Sequence, residues 1–348
     1  MNKRIRDYGI NIGRLPTGEL NSITDVKGVR VGHITLNAGN IKTGVTAIIP
    51  CCDNIFQNKL LCGLDIINGF GKSVGLVQID ELGTLETPIV LTNTLSVGDA
   101  SKGLIQYMLS NNPDIGISTG TVNPVVCECN DGYLNDIRGF HITPSHVFDA
   151  ISAASHSFKE GSVGAGTGMS AYKLKGGIGT ASRSITLCGE KYIVGGLVLT
   201  NMGKKHELVI DGNKVGKKLL ELDPTENELP DKGSIIMIIA TDIPLSSRQL
   251  KRASRRCIAG LSRTGSSISN GSGEIAISFS TANRTPHYPQ GILAMKFISD
   301  EFIDPVFEAT AEVIEEAILN SMITAETVIG INGNVRYTLA KYISELLD

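Results

Sequence analysis

The sequence predicts an α/β protein in which β-sheets lie stacked between layers of helix. Three observations predict it. Short apolar runs bounded by glycine or proline recur along the chain, each as long as a buried strand and too short for a helix. Amphipathic stretches with helical spacing alternate with them. The strands cluster, with helices before and after, and a sheet with an apolar face must bury it against another layer. The 348 residues, 41% apolar and 19% charged, supply ample material for a core. No internal repeat or clean domain boundary is visible, so residues 1–348 are expected to form one unit.

The runs Val45 to Ile49 and Ile89 to Leu91 read as buried strands. Ser96 to Ser110 reads as a helix, with Ser96 as N-cap and Ala100, Leu104, Ile105 and Met108 on one face. Pro144 to Phe158 reads as another helix. Ser184 to Leu187 and Tyr192 to Thr200 read as a hairpin around Gly189-Glu190. Asn201 to Gly233 is polar and turn-rich, with Leu208-Val209-Ile210 and Leu219-Leu220 as its firm packing points. It reads as a partly mobile surface excursion. It ends abruptly at Gly233-Ser234, and Ile235 to Ala240, all apolar, is the strongest buried strand in the chain. Arg248 to Arg263 reads as a helix with Leu250, Ala253, Cys257 and Leu261 inward and a solvated basic face. Glu274 to Ser280 alternates strictly, with Ile275, Ile277 and Phe279 on one face. Asp304-Pro305 opens a long helix to about Met322, and Val335 to Leu347 reads as a last helix.

Composition excludes several function classes. Net charge is −3, Trp is absent and aromatics are 5%, and no Lys/Arg block is present, so no nucleic-acid partner is expected. Met1 to Tyr8 is charged with no apolar stretch behind it, and no run of 18 apolar residues could span a bilayer, so the expectation is a cytoplasmic protein with no membrane partner. The odd set Cys51, Cys52, Cys62, Cys127, Cys129, Cys188 and Cys257 argues for reduced thiols. Its spacings are not those of a zinc site, and neither a metal nor a cofactor is expected. Gly164-Ala165-Gly166-Thr167-Gly168 lacks the Lys-Ser/Thr of a phosphate loop and reads as close backbone packing.

The junction at Gly233-Ser234 carries the chemistry. A serine at the start of a rigid apolar strand has a fixed backbone, while the residues before it can strain or leave. Gly233 adds little hindrance. Those conditions suit an N-to-O acyl shift, in which the Ser234 hydroxyl attacks the Gly233 carbonyl. Ester hydrolysis would then leave Ser234 as a new N-terminus, with an α-amine of ordinary pKa near 8 beside its own hydroxyl.

Five blocks resemble one family. They are the run from Asn21 to His33 (NSITDVKGVRVGH) with Thr43-Gly44-Val45-Thr46, Glu128 to Asp136 (ECNDGYLND), Gly164 to Met169 (GAGTGM) with Lys175 to Arg183 (KGGIGTASR), Lys232 to Ile236 (KGSII), and Asn270 to Glu274 (NGSGE). In this order they resemble the DmpA-type aminopeptidases, the L-aminopeptidase/D-esterase and β-peptidyl aminopeptidase family, over most of the chain. The resemblance implies a four-layer αββα sandwich, layered like the N-terminal-nucleophile hydrolases and related to the ornithine acetyltransferases. It implies self-cleavage between Gly233 and Ser234 into 1–233 and 234–348, and a homo-oligomer, a tetramer of cleaved pairs. Ser234 matches the nucleophile, Asn201 the oxyanion-stabilising amide, Ser272 and Glu274 a pair that hydrogen-bonds around the nucleophile and its amine, and Tyr133 an aromatic hydroxyl lining the site. Asp131 falls where an acidic group is expected to hold the substrate ammonium, with Glu128 nearby and acidic too. The implied activity is release of N-terminal residues from short peptides, amides or esters. Two alternatives stay open: an ornithine-acetyltransferase-like acyltransferase, and a silent, uncleaved binding protein.

Overall fold

A computed structural model describes residues 2–224 and 233–347. Along the chain, β1 (Arg30–Ala38) and β2 (Ile41–Ile49) form a hairpin, and β3 (Asn58–Gly69) starts a second sheet. There follow α1 (Leu76–Leu82), β4 (Thr84–Leu85), β5 (Ile89–Asn93), α2 (Val97–Asn111), β6 (Val125–Cys129), α3 (Pro144–Ser152), β7 (Ser170–Ala171) and β8 (Leu174–Lys175). The long hairpin β9 (Gly177–Leu187) and β10 (Glu190–Asn201) precedes α4 (Gly216–Leu222). The remainder is β11 (Ser234–Thr241), α5 (Ser247–Arg263), β12 (Gly273–Pro286), α6 (Asp304–Ile323), β13 (Val328–Ile329), β14 (Val335–Arg336) and α7 (Ile343–Leu347).

Two sheets result, one in the order β1-β2-β5-β6 and one in the order β4-β3-β12-β11-β10-β9. β5–β6 and β11–β12 are parallel pairs. Parallel neighbours need a crossover, and α2 and α5 supply the two. Val45, Ala47, Leu91, Leu197, Ile236, Ile238, Ile275 and Ile277 meet in the core between the sheets, and the same core takes in Ala100 and Leu104 of α2 and Val147 of α3. The opposite face of the larger sheet carries Val198, Ile235, Met237 and Ile239 against Leu250 and Cys257 of α5 and Val313, Ile314 and Ala317 of α6. The layers are therefore helix, sheet, sheet, helix. Every residue of β11 is buried, and each fully buried Ile or Met contributes about 1.5–3 kcal/mol relative to exposure.

Most of the expected elements are present, with four differences of local cause. α3 stops at Ser152, short of Phe158, because Ser155 exchanges both backbone hydrogen bonds with Val31. The α2 entrance is capped by Asn93, whose Oδ1 accepts from Leu95 and Ser96 amides, and the Ser96 side chain makes no cap bond. The β9–β10 turn sits at Cys188-Gly189, both with positive φ (52° and 84°), as tight hairpins demand. β12 keeps its expected alternation, with Ile275, Ile277 and Phe279 in the core between the sheets and Ala276 in the other core, while the extra residue of the bulge opposite Glu274 and Ile275 is Ile67 of β3. Val335 to Leu347 is not one helix: Asn332 and Gly333 (φ 58° and 73°) turn the chain so that β14 pairs with β13, and only Ile343–Leu347 is α-helical.

The excursion after β10 is anchored as far as residue 224. Leu208, Ile210 and Leu219 join the second core, while Lys205 Nζ, itself buried, bonds the Asp223 carboxylate at 2.9 Å and its carbonyl at 2.8 Å. The rest of the expected mobile stretch, 225–232, lies outside the described residues.

Candidate active site

Four strand ends converge in the larger sheet. Ser234, the first residue of β11, pairs with Asn201, the last of β10, and with Gly273, the first of β12. Gly273 in turn faces Gly69 at the end of β3. The apolar run after Ser234 fixes its backbone, and the side chain itself is only 6% exposed.

The Gly233 carbonyl oxygen accepts from two directions. Ser234 Oγ donates to it at 2.8 Å and the Gly273 amide at 3.2 Å. The hydroxyl is thus held against the carbonyl group it would attack, and a backbone N–H already faces the oxygen on which charge would develop. Gly273 is glycine for a steric reason: a Cβ there would lie 2.6 Å from the Phe70 carbonyl oxygen and 3.3 Å from Ser234 Oγ.

Asn201 has a fixed orientation. Its Oδ1 accepts from the Ser170 amide at 2.9 Å. A backbone N–H can only donate, so the oxygen end must face Ser170 and the Nδ2 end must face away, free to donate elsewhere. Ser170 follows the loop Gly164–Met169, which the buried Lys175 ammonium gathers by donating to the carbonyls of Gly166 (2.8 Å), Met169 (2.9 Å) and Gly176 (2.7 Å). The loop's glycines allow close approach, since a Cβ on Gly168 would fall 2.1 Å from the Lys42 carbonyl oxygen.

Ser272 and Glu274 are both buried, and the Ser272 hydroxyl donates to the Glu274 carboxylate. The turn before β12 is pinned by the Ser272 amide on the Ser269 carbonyl (3.0 Å), and by Asn68 Nδ2, which donates to the carbonyls of Ser269 (3.1 Å) and Ser272. The buried Cys129 thiol is pushed well above its ordinary pKa, first by burial and then by the charges of Glu128 and Glu274.

The two acidic residues of the Glu128–Asp136 block have different surroundings. Asp131 is fully buried beneath Gly168 and accepts from Asn135 Nδ2 at 3.0 Å. Burial pushes its carboxyl up to about 7, with hydrogen bonds from Thr43 and Asn135 and the Lys175 charge offsetting part of the rise. Burial likewise pulls the Lys175 ammonium down to about 7, against the attraction of Asp131. Glu128 sits at the end of the nucleophile's neighbourhood. It accepts from the Lys72 amide (2.9 Å) and the Thr94 hydroxyl, and its Oε1 lies beside Gly71, next to the Phe70 that touches Gly273.

Tyr133 is half-buried, and the guanidinium of Arg336 lies 3.6 Å from its ring centroid. Arg336 Nε also donates to Ser170 Oγ at 3.2 Å. The sheet end thus gathers Ser234, Asn201, Ser272 and Glu274 with the Gly233 carbonyl. Tyr133 joins them through Arg336 and Ser170, and Asp131 lies behind the glycine loop. Sequence reasoning missed the Gly273 and Ser170 amides, Lys175 and Arg336. Among the described residues, no group of three or more His, Cys, Asp or Glu could hold a metal ion, and no helix is long and apolar enough to cross a membrane.

The sequence model of Peptidase family S58 matches residues 21–336. A β-peptidyl aminopeptidase, BapA of Sphingosinicella microcystinivorans, is 37% identical over 361 aligned residues, covering 97% of this chain and 89% of the relative. The PH0078 protein from Pyrococcus horikoshii OT3 superposes with a TM-score of 0.94 at 52% identity, covering 99% of this chain and 98% of that one. The L-aminopeptidase D-Ala-esterase/amidase from Ochrobactrum anthropi, described as a prototype serine aminopeptidase with a variant of the Ntn hydrolase fold, does so with 0.91 at 34% identity and the same coverage. With the family match spanning most of its length and a serine seated among these donors, the chain belongs to peptidase family S58 and is a serine-type aminopeptidase.

Proposed function

We propose that the chain cuts itself between Gly233 and Ser234, and that the freed Ser234 then removes N-terminal residues from short peptides, amides or esters through an acyl-enzyme. The observation that carries this reading is the Gly233 carbonyl oxygen, held at once by the Ser234 hydroxyl and the Gly273 amide. Attack by Oγ on the Gly233 carbonyl carbon exchanges the peptide for an ester. Water then releases residue 233 as a carboxylate and leaves Ser234 with both a hydroxyl and an amine.

In the mature site the same hydroxyl attacks a substrate carbonyl. Asn201 Nδ2, turned away from Ser170, donates to the oxyanion. The Ser272–Glu274 pair, one strand over, holds the Ser234 amine and hydroxyl in register and takes or returns the proton. Tyr133 lines the pocket. An aminopeptidase must also recognise a free ammonium, and a carboxylate does so by charge-assisted hydrogen bonds. Glu128 suits that role better than Asp131. Its carboxylate lies against Gly71 beside the nucleophile's strand, and each of its oxygens keeps a lone pair for a further donor. Asp131 is fully buried behind the glycine loop beside Lys175, with Oδ1 accepting from Asn135 and Oδ2 left without a hydrogen-bond partner among the described residues.

Denaturing mass analysis of purified protein tests the self-cleavage directly. Two fragments, 1–233 and 234–348, are the expected result. An intact chain that nevertheless hydrolyses aminoacyl p-nitroanilides would refute it.

A further inference from the structure

The strand ends give the site a direction. On one flank, β3 leads through Phe70 and Gly71 to Lys72, whose amide binds Glu128. On the other flank, β10 ends at Asn201, whose carboxamide is held by Ser170, and Ser170 Oγ in turn accepts from Arg336. Ser234, on β11, lies between the flanks. An acidic group, the nucleophile and a basic group therefore follow one another across one end of the sheet. With strands about 4.8 Å apart, the three steps from β3 to β10 span roughly 14 Å. A two-residue peptide is about 7 Å long when extended, so the long side chains of Glu128 and Arg336 would have to reach inward to meet its two ends.

Among the described residues, Arg336 is a cation without an ion-pair partner. Its contacts among them are the ring and hydroxyl of Tyr133, the Ser170 hydroxyl and, at 3.4 Å, the Val335 carbonyl. Asp223, the acidic residue in its electrostatic surroundings, is already paired with Lys205. Burial lowers the guanidinium's pKa, which marks the cost of keeping the charge there, with Tyr133 offsetting part of it. A half-buried guanidinium laid flat on a ring keeps a planar donor fork, and that fork matches a carboxylate in two parallel hydrogen bonds.

We propose that Arg336 receives the terminal carboxylate of the leaving residue, the one on the C-terminal side of the scissile bond, so that free dipeptides and similarly short peptides are the preferred substrates. The inference rests on the peptidase reading of Ser234. Substrate polarity runs along the row of groups: ammonium at Glu128, scissile carbonyl at Ser234, terminal carboxylate at Arg336. A longer peptide places a neutral amide where the carboxylate would sit and forgoes that interaction.

The test compares a dipeptide bearing a free carboxylate with the same dipeptide as its C-terminal amide, the N-terminal residue being one that the wild type accepts. Wild type is expected to favour the acid by tenfold or more in kcat/KM. Arg336→Met should raise KM for the acid at least tenfold more than KM for the amide, and Arg336→Lys should recover part of that difference. Equal losses on both substrates would overturn the proposal, because they would place Arg336 in support of Tyr133 and Ser170 alone. A wild type that turns over acid and amide equally well would overturn it too, while leaving the peptidase reading intact. Hydrolysis of neither would remove that reading and this inference together. If Arg336→Met does not fold, inhibition of wild-type amide hydrolysis decides the matter: the leaving residue as a free amino acid should inhibit at least tenfold more strongly than its amide, and equal inhibition would count against the site.

Discussion

The Gly273 amide donates to the carbonyl oxygen of Gly233 at 3.2 Å, across the two parallel strand starts that flank the bond to be cut. The donor is a backbone group, so it can be tested only by moving the backbone. Gly273→Ala would thrust a methyl group to 2.6 Å from the Phe70 carbonyl oxygen, and a backbone atom yields poorly. Self-cleavage should slow by roughly tenfold or more, in line with loss of one oxyanion donor. A time course of fragment appearance measures it, and an unchanged rate would remove the amide from the mechanism.

Ser234→Ala should leave one intact chain with no peptidase activity if, as proposed, the hydroxyl is the nucleophile in both reactions. Mass analysis and a p-nitroanilide assay on the same preparation check the two losses. Scission at the same bond without the hydroxyl would show that another group attacks.

Asn201→Ala should lower kcat by about 100-fold or more while KM changes little, as for a donor that acts mainly in the transition state. The Ser170 amide would lose its acceptor as well, so Asn201→Asp is a useful companion: it keeps an acceptor for Ser170 and removes the donor. If Asn201→Asp retains wild-type kcat, Asn201 does not serve the oxyanion.

Glu128→Gln and Asp131→Asn should fail differently. Glu128→Gln should weaken kcat/KM by roughly 10- to 100-fold, through loss of a charge-assisted contact to the ammonium. Asp131→Asn should act on stability. The folded carboxyl titrates near 7 because it is buried, and the unfolded one near 3.9. Between those values the folded chain holds a proton that the unfolded chain has lost, so this group's contribution to stability falls as pH rises from about 4 to about 7. The variant should therefore gain on wild type in thermal midpoint across that window. A constant difference in midpoint, or a KM effect confined to Asp131→Asn, would reverse the two assignments.

The legible and illegible parts of the site differ in kind. Ser234 could be read because an unbroken apolar run follows it, and Ser272 and Glu274 because the block Asn270 to Glu274 resembles a family motif. The layered fold followed from runs such as Val45 to Ile49, whose length and flanks allow little else. Backbone donors leave no side-chain signature, so the amides of Ser170 and Gly273 could not be found in the same way. Arg336 was hidden by its setting: Val335 to Leu347 has helical spacing, and the deciding signal was the Asn332-Gly333 pair just before it. That pair favours a turn with positive φ and converts the start of the expected helix into a strand. Lys175 was hidden because burial of a lysine depends on three carbonyls that come together only in the folded loop.

Strand order has a further consequence. β11 and β12 come from the part of the chain after residue 233, and they lie in the middle of the larger sheet, between β3 and β10 from the part before it. If the bond is cut as proposed, neither piece owns the whole of the larger sheet, yet no strand pairing is lost. The two pieces would stay threaded through each other, and a cleaved enzyme could be dismantled only by unzipping the larger sheet on both sides. Its reassembly would then be an encounter between two separate polypeptides. The precursor has to meet that topological demand only once, while it is still a single thread.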